Sequence, residues 1–133
     1  MTVGLVKRDS TTSVFFDGTA RREFLLKRCG ECGAYSQPQA EQCASCDRQI
    51  LNWTPAHGGA KVIAWTVIHT NPRSGPSTET VAVVGELDEG PWWWSVLIGV
   101  EPSDVFTGMR MKIDFEIADG SEEYVPIFRP SEL

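Results

Sequence analysis

The sequence has 133 residues, of which 41% are hydrophobic and 23% are charged, as in an ordinary globular protein of one compact unit or two very small ones. The formal net charge of −6 argues against nucleic acid as a partner, because that binding needs basic surface that displaces phosphate counterions. The sequence has neither an apolar run long enough to span a membrane nor the apolar stretch of a signal peptide, so we expect a cytoplasmic chain with no membrane partner.

The N-terminal segment, residues 1–27, is predicted to be helical over residues 12–27. Apolar residues from Phe15 to Leu25 recur at roughly helical spacing, which would place them on one face. Gly18 weakens a continuous helix, so two short helices that separate near this residue are an alternative.

Residues 28–54 contain two CxxC pairs, separated by a stretch too polar to build a core. The pairs are Cys29 with Cys32 and Cys43 with Cys46. In a reducing cytoplasm such pairs favour a metal site over disulfides, and two facing CxxC turns can arrange four thiolates around one ion. The pattern predicts a structural zinc ribbon, with iron as a less favoured alternative because spacing does not separate the two metals.

The residues that directly follow the two pairs suit such turns. Gly33 follows the first pair, where a positive φ angle is favoured. Asp47 follows the second, and aspartate tolerates this backbone conformation better than most residues. Four protein ligands leave no open coordination position, so we expect the metal to take no part in catalysis.

Residues 55–133 are predicted to form an OB-type β-barrel of about five short strands. Pro126 in the last strand indicates an edge position, since proline cannot donate a backbone hydrogen bond. The fold class expected for the whole chain is mainly β, with a short N-terminal helix or helices, a rubredoxin-like zinc ribbon and an OB-fold barrel. The strands are expected near residues 61–69, 80–87, 92–100, 109–117 and 124–128.

Three consecutive tryptophans and one basic cluster are candidates for binding. In a strand, Trp93 would face one side and Trp92 and Trp94 the other; exposed rings favour a partner interface or an apolar ligand, and burial in the barrel core is the alternative. The basic cluster is either a solvated helix face or a site for the phosphates of an acyl-CoA or a carboxylate on a partner. Its members are Arg21, Arg22, Lys27 and Arg28.

The sequence suggests no catalytic residue. His57 and His69 are the two histidines, and neither adjoins a serine or cysteine nucleophile motif. No acid–base pair is evident, and Gly58-Gly59 lacks the pattern of a phosphate-binding loop.

Several motifs follow one another in a characteristic order along nearly the whole chain. They are residues 24–33 around the first cysteine pair, Cys43–Cys46, Trp53, Gly85–Pro91, Gly108 and Pro126–Pro130. This order resembles a family of zinc-ribbon OB-fold proteins associated with acyl-CoA metabolism, known as a domain of unknown function. Where that family usually has Gly-Arg-Gly before the first barrel strand, this chain has His57-Gly58-Gly59, so no role for an arginine transfers to that position.

The resemblance implies an accessory subunit rather than an enzyme in its own right. Such proteins pair as hetero-oligomers with thiolase-like enzymes, including lipid-transfer-type thiolases and aldolases that shorten steroid side chains carried on CoA. The partner would supply the catalytic residues, and this chain would stabilise it and help form its CoA or acyl site. The alternatives are a single-stranded nucleic-acid-binding module, which the negative charge opposes, and a stand-alone acyl-CoA enzyme, which the lack of an evident acid–base pair opposes.

Overall fold

The structure of the protein is a computed structural model that describes residues 9–70, 75–117 and 122–131; residues 1–8 of the predicted N-terminal segment lie outside this range. Within it, the chain forms one α-helix, one short 3₁₀ helix (Pro102–Asp104) and eight β-strands. The expected fold class, mainly β with one short helix, is confirmed. The other elements are α1 (Ser13–Ala20), β1 (Leu25–Cys29), β2 (Tyr35–Ser36), β3 (Leu51–Pro55), β4 (Gly59–Thr70), β5 (Thr78–Leu87), β6 (Trp92–Leu97), β7 (Arg110–Ile117) and β8 (Tyr124–Pro130).

The N-terminal helix is shorter than predicted, and the expectation of helix over residues 21–27 is wrong. Its last turn closes where the amides of Arg21 and Glu23 both donate to the carbonyl oxygen of Gly18. Arg22 then adopts a left-handed conformation with φ of 64°, which redirects the chain into the extended strand β1. Pairing of β1 with β3 overrides the helical spacing, because the apolar side chains of this segment reach the core from a strand.

Strands β1, β2 and β3 form a small antiparallel sheet in the order β2–β1–β3, which we call the ribbon sheet. The β1–β3 pairing extends from Leu25 opposite Pro55 to Cys29 opposite Leu51. The first cysteine therefore stands at the end of a paired strand, and sheet hydrogen bonds fix its backbone.

The remaining five strands close into a barrel in the order β4–β5–β6–β8–β7, which confirms the predicted OB-type barrel. Neighbouring strands are antiparallel except β6 and β8, which run parallel and pair at Leu97 opposite Phe128. All five strands lie close to the segments in which they were expected.

The predicted edge position of Pro126 is wrong, because β8 lies between β6 and β7. Phe128, two positions along, directs its carbonyl oxygen to the amide of Ile98, so the missing N–H of Pro126 also lies on the β6 side. Strand pairing is sparse on that side, and the hydroxyl of Ser95 donates to the Pro126 carbonyl at 2.8 Å. A proline is tolerated there because few ladder hydrogen bonds are formed.

One continuous hydrophobic core joins the helix, the ribbon sheet and the barrel. The ring of Phe15 on α1 lies 5.6 Å from that of Trp93 on β6 and 5.9 Å from that of Phe24, which precedes β1. Leu26 of β1 and Phe128 of β8 are fully buried in the same core. This shared core fixes the base of the ribbon sheet against the barrel.

Candidate functional site

Each cysteine pair forms a turn in which backbone amides point at the first sulfur. In the first turn, Cys29 Sγ accepts hydrogen bonds from the amides of Glu31 at 3.4 Å and Cys32 at 3.5 Å. In the second turn, Cys43 Sγ accepts equivalent bonds from the amides two and three positions along, both at 3.4 Å. Two turns of the same construction therefore present their sulfurs in the same manner.

Both turns are closed by a residue with positive φ, as expected from the sequence. Gly33 has a φ of 77° and Asp47 a φ of 62°. Their amides donate to the carbonyl oxygens of Cys29 and Cys43 at 3.1 and 3.0 Å. The second turn therefore achieves with aspartate the geometry that the first achieves with glycine.

The two turns face each other and bring four sulfurs together, from Cys29, Cys32, Cys43 and Cys46. All four Sγ atoms lie within 4.8 Å of one another, with Cys29 to Cys46 at 3.6 Å and Cys32 to Cys43 at 3.5 Å. A disulfide would require about 2.0 Å, whereas sulfurs bound at about 2.3 Å to a tetrahedral ion lie about 3.8 Å apart. The cysteines are free, and the cluster could hold one metal ion such as zinc.

The thiols of the cluster differ in how readily they ionise. Backbone amides, foremost that of Cys32, lower the pKa of Cys29 to about 6, and the pKa of Cys43 is lowered in the same way. The amide of Arg48 lowers the pKa of Cys46, but burial and the neighbouring sulfurs raise it more, to about 12. The cluster thus stabilises the thiolates of Cys29 and Cys43 but disfavours ionisation of Cys46. A divalent cation among the sulfurs would stabilise all of the thiolates by its positive charge.

The segment that carries the second turn, residues 37–50, has almost no core of its own; we call it the ribbon tip. Cys43 is its one buried residue, and every other residue of the segment is at least partly exposed. With four sulfurs as ligands, a bound ion would have no open position for substrate. The cluster is therefore suited to holding the ribbon tip in shape.

The three tryptophans alternate across β6 as predicted. Trp93 faces inward, with ring centroids 5.6 Å from Phe15 and 5.0 Å from Phe24. Trp92 and Trp94 face outward and are 46% and 73% exposed. Core packing thus explains one of the three rings, and the two outward rings remain candidates for contact with another molecule.

An apolar groove of about 420 Å³ lies where α1, the ribbon sheet and the barrel meet. Its walls include Phe16 from the helix, Trp53 from β3, Trp94 from β6 and Pro126 from β8. This volume lies within the range of small-molecule sites, and aromatic walls suit an apolar ligand. The groove was not predicted, because its lining residues come from separate segments that only the tertiary fold brings together.

The four basic residues do not form one cluster, and the helix face proposed for them is wrong. Arg21 forms an ion pair of 2.8 Å with the glutamate two positions along, and the guanidinium of Arg22 lies 3.6 Å from the ring centroid of Tyr124. Lys27 and Arg28 are neighbours in β1, so their side chains point to opposite faces of the strand. Of the four, Lys27 lines the apolar groove.

A contact between His57, Asp88 and Arg110 was not expected, because its members come from three separate segments. Arg110 donates two hydrogen bonds to Asp88, at 2.9 and 3.0 Å, which hold the pKa of Asp88 below its usual range. His57 Nδ1 lies 3.5 Å from Asp88 Oδ2 and accepts a hydrogen bond from the amide of Gly59. The side chain of His57 is 76% exposed, so it lacks the water-excluded surroundings typical of acid–base catalysis.

The chain is similar to one family model and to solved structures. Residues 53–116 match the family model described as the ChsH2 C-terminal OB-fold domain. No curated protein matches the sequence. A chain of the Ltp2-ChsH2(DUF35) aldolase superimposes with a TM-score of 0.79 and 25% identity, over 95% of this chain and 98% of that chain.

A second solved structure is a protein of unknown function from the DUF35 family of Sulfolobus solfataricus. It superimposes with a TM-score of 0.65 and 17% identity, over 92% of this chain and 86% of that chain, and at this identity it supports the fold alone. In the part of the chain that the structure describes, no helix is long and apolar enough to cross a bilayer.

Proposed function

We propose, from the match of residues 53–116 to the family model of ChsH2 C-terminal OB-fold domains, that this chain is the non-catalytic accessory subunit of a thiolase-like acyl-CoA enzyme. The observation that carries the proposal is the match to a chain of the Ltp2-ChsH2(DUF35) aldolase over 95% of this chain. Because the match covers helix, ribbon and barrel together, it supports a common role for the whole arrangement.

The partner in this proposal is an aldolase or a lipid-transfer-type thiolase that supplies the catalytic residues. The acidic chain contributes a scaffold: Cys29, Cys32, Cys43 and Cys46 hold one structural zinc ion, which fixes the ribbon tip. The spacing of the four sulfurs supports this assignment, since it suits a tetrahedral thiolate site. Zinc is favoured over iron as the ion, and elemental analysis distinguishes them.

The chain is further proposed to help form the acyl-CoA site of the complex. The apolar groove would receive part of the acyl group, because its aromatic walls suit an apolar chain. These walls come from α1, β3 and β6. Lys27 lines the groove and is the best placed of the basic residues to meet a CoA phosphate; Arg21, Arg22 and Arg28 are weaker candidates. A steroid-derived acyl group is the substrate class that the family resemblance favours.

The surroundings of Trp92 give less support to the alternative function, a single-stranded nucleic-acid-binding module. Such modules combine stacking rings with a positively charged groove. Here the indole N–H of Trp92 donates to Glu86 at 3.3 Å, and Glu86 also pairs with Lys61 at 3.2 Å. Lys61 is thus partly neutralised, and the net charge of −6 opposes a phosphate backbone.

Co-expression with the thiolase-like protein encoded by the neighbouring gene tests the proposed function. We expect the two chains to co-purify, the complex to cleave an acyl-CoA and this chain alone to show no turnover. Separate migration, together with a thiolase-like protein that is fully active alone, would refute the proposal.

The metal assignment has its own test. Elemental analysis of the purified chain should find about one zinc per chain. The double variant Cys29→Ser, Cys32→Ser should contain none. A metal-free chain with a fully ordered ribbon tip would contradict the scaffold role without deciding the choice of partner.

A further inference from the structure

The outer surface of the barrel consists of a charged part and an apolar part. On the charged part, Asp114 and Glu116 of β7 each accept a hydrogen bond of 2.6 Å from Arg129 of β8. The outward side chains of β4, β5 and β6 are mainly apolar or threonine, and Lys61 and Glu86 are the charged ones. When one face of an antiparallel sheet is solvated, that face is ordinarily polar. The apolar part therefore points to a surface that another molecule covers.

Strand register aligns the apolar part in rows across three strands. Ala64 lies opposite Val84, and Val84 lies opposite Trp94. The next row has the same outward direction, and none of the six side chains in the two rows can ionise. That row consists of Thr66, Ala82 and Val96.

The exposed apolar area is large enough to form the centre of an interface. Trp94 is 73% exposed, Ile68 49% and Trp92 46%. With a fully exposed tryptophan taken as about 250 Å², these three side chains present on the order of 400 Å². Patches of this size on a monomer are often functional, and a standard interface buries about 800 Å² on each partner.

The border of this surface is polar. At the end nearest the ribbon, Lys61 pairs with Glu86 at 3.2 Å, and Glu86 accepts the indole N–H of Trp92. An apolar centre beside a polar rim is the usual arrangement of a protein–protein interface.

We propose that the outer face of β4, β5 and β6, centred on Trp94, is the surface by which this chain docks on its thiolase-like subunit. This inference rests on the proposed function and adds the location of the contact. A second copy of this chain is the less favourable occupant, because each copy carries a net charge of −6, and like charge opposes self-association. Trp94 also lines the apolar groove, so docking here would place the partner beside the proposed acyl site.

Two isoleucines provide a matched test, because they are 49% and 48% exposed on different strands. Ile68 belongs to the proposed docking face, whereas Ile117 lies at the end of β7. Affinity for the purified thiolase-like subunit is measured by biolayer interferometry for Ile68→Glu, Ile117→Glu and Trp94→Ala. Thermal unfolding of each variant confirms that its barrel remains folded.

We expect Ile68→Glu to weaken binding about tenfold or more and Trp94→Ala about thirtyfold or more, the latter being typical of an interface hot spot. Ile117→Glu should bind within about twofold of the wild type. If the wild type binds and all three variants bind equally well, the docking face is refuted while the proposed function stands. If the wild type does not bind, the proposed function fails and the docking face with it.

Sedimentation equilibrium of the chain alone tests whether a second copy of this chain occupies the docking face. A monomeric wild-type chain supports the proposal. A wild-type dimer that Ile68→Glu converts to a monomer would assign the face to a second copy and overturn it.

Discussion

Replacement of Cys43 by serine should open the ribbon tip and leave the barrel folded. The fourteen residues from 37 to 50 bury one side chain, that of Cys43. Ordering their backbone costs about 1–2 kcal/mol per residue, and burial of a single side chain does not offset that cost over the whole segment. In zinc-finger peptides the metal supplies an apparent binding free energy of about 10–16 kcal/mol, a value that already includes the cost of ordering the peptide. Without the metal, little apolar burial remains to hold the ribbon tip.

Hydrogen exchange followed by mass spectrometry locates this change. The amide of Cys43 donates to the carbonyl of Arg48 at 2.7 Å, and that of Gly30 donates to Ile50 at 2.8 Å. In Cys43→Ser treated with EDTA, peptides that cover these amides should exchange at nearly unprotected rates. Peptides from β4 and β5 should keep their protection, because their core does not include the ribbon tip.

Ser45→Ala is the matched control for Cys43→Ser. It changes an exposed side chain of the same turn and keeps the backbone amide that donates to Cys43 Sγ. This variant should retain the metal and the protected amides. A Cys43→Ser chain with a fully protected ribbon tip would refute the reasoning, and so would equal loss of protection in the barrel.

Three further predictions concern stability. Asp47→Gly should raise the free energy of opening of the metal-loaded ribbon tip by roughly 0.5 kcal/mol. Glycine removes the strain of a φ of 62°, and its larger conformational entropy in the unfolded state offsets part of this gain. Hydrogen exchange of the amides in this turn measures the change. Arg129→Met should lower the free energy of unfolding by about 0.5–1 kcal/mol at pH 7, as measured by urea titration. Arg129 lowers the pKa of Asp114, so this stabilisation is present above the unfolded pKa of about 4 and is lost as pH falls through the folded value. Gly85→Ala should destabilise by about 1–3 kcal/mol, since the added methyl would lie 2.8 Å from the ring of fully buried Phe128.

Each of these predictions has a contradicting outcome. If the free energy of opening of the ribbon tip is higher in the wild type than in Asp47→Gly, the aspartate side chain stabilises the turn by more than its backbone conformation costs. A constant difference between wild type and Arg129→Met from pH 7 to pH 3 would exclude the ion pairs as its source. A fully stable Gly85→Ala would mean that the core yields around this position.

The cysteine cluster could be predicted because its geometry is local. Two CxxC turns each fix the direction of two sulfurs within a few residues, and the positive φ at Gly33 and Asp47 could be expected from their position directly after each pair. The barrel strands were similarly accessible, since alternation along β7 separates its apolar from its charged side chains.

Features that depend on tertiary pairing were not accessible in this way. The segment around Leu25 has apolar spacing that suits a helix, but pairing with β3 makes it a strand. Pro126 suggested an edge strand because proline cannot donate a backbone hydrogen bond. It is accommodated inside the barrel because β6 and β8 pair at one position, which no local pattern indicates. The apolar rows around Val84 likewise appear only after the register of three strands is known.

The barrel closes between β6 and β8 through a short contact, which we call the seam. Among the described residues these strands pair at a single position, Leu97 opposite Phe128, and the hydroxyl of Ser95 adds one hydrogen bond to Pro126. Ser95, Pro126 and Trp94 all border the apolar groove, so a molecule lodged there would bridge the seam. Binding to the closed form alone stabilises it by mass action. We therefore expect a bound molecule to favour the closed barrel, because it would contact both strands of the most sparsely paired junction among the described strands.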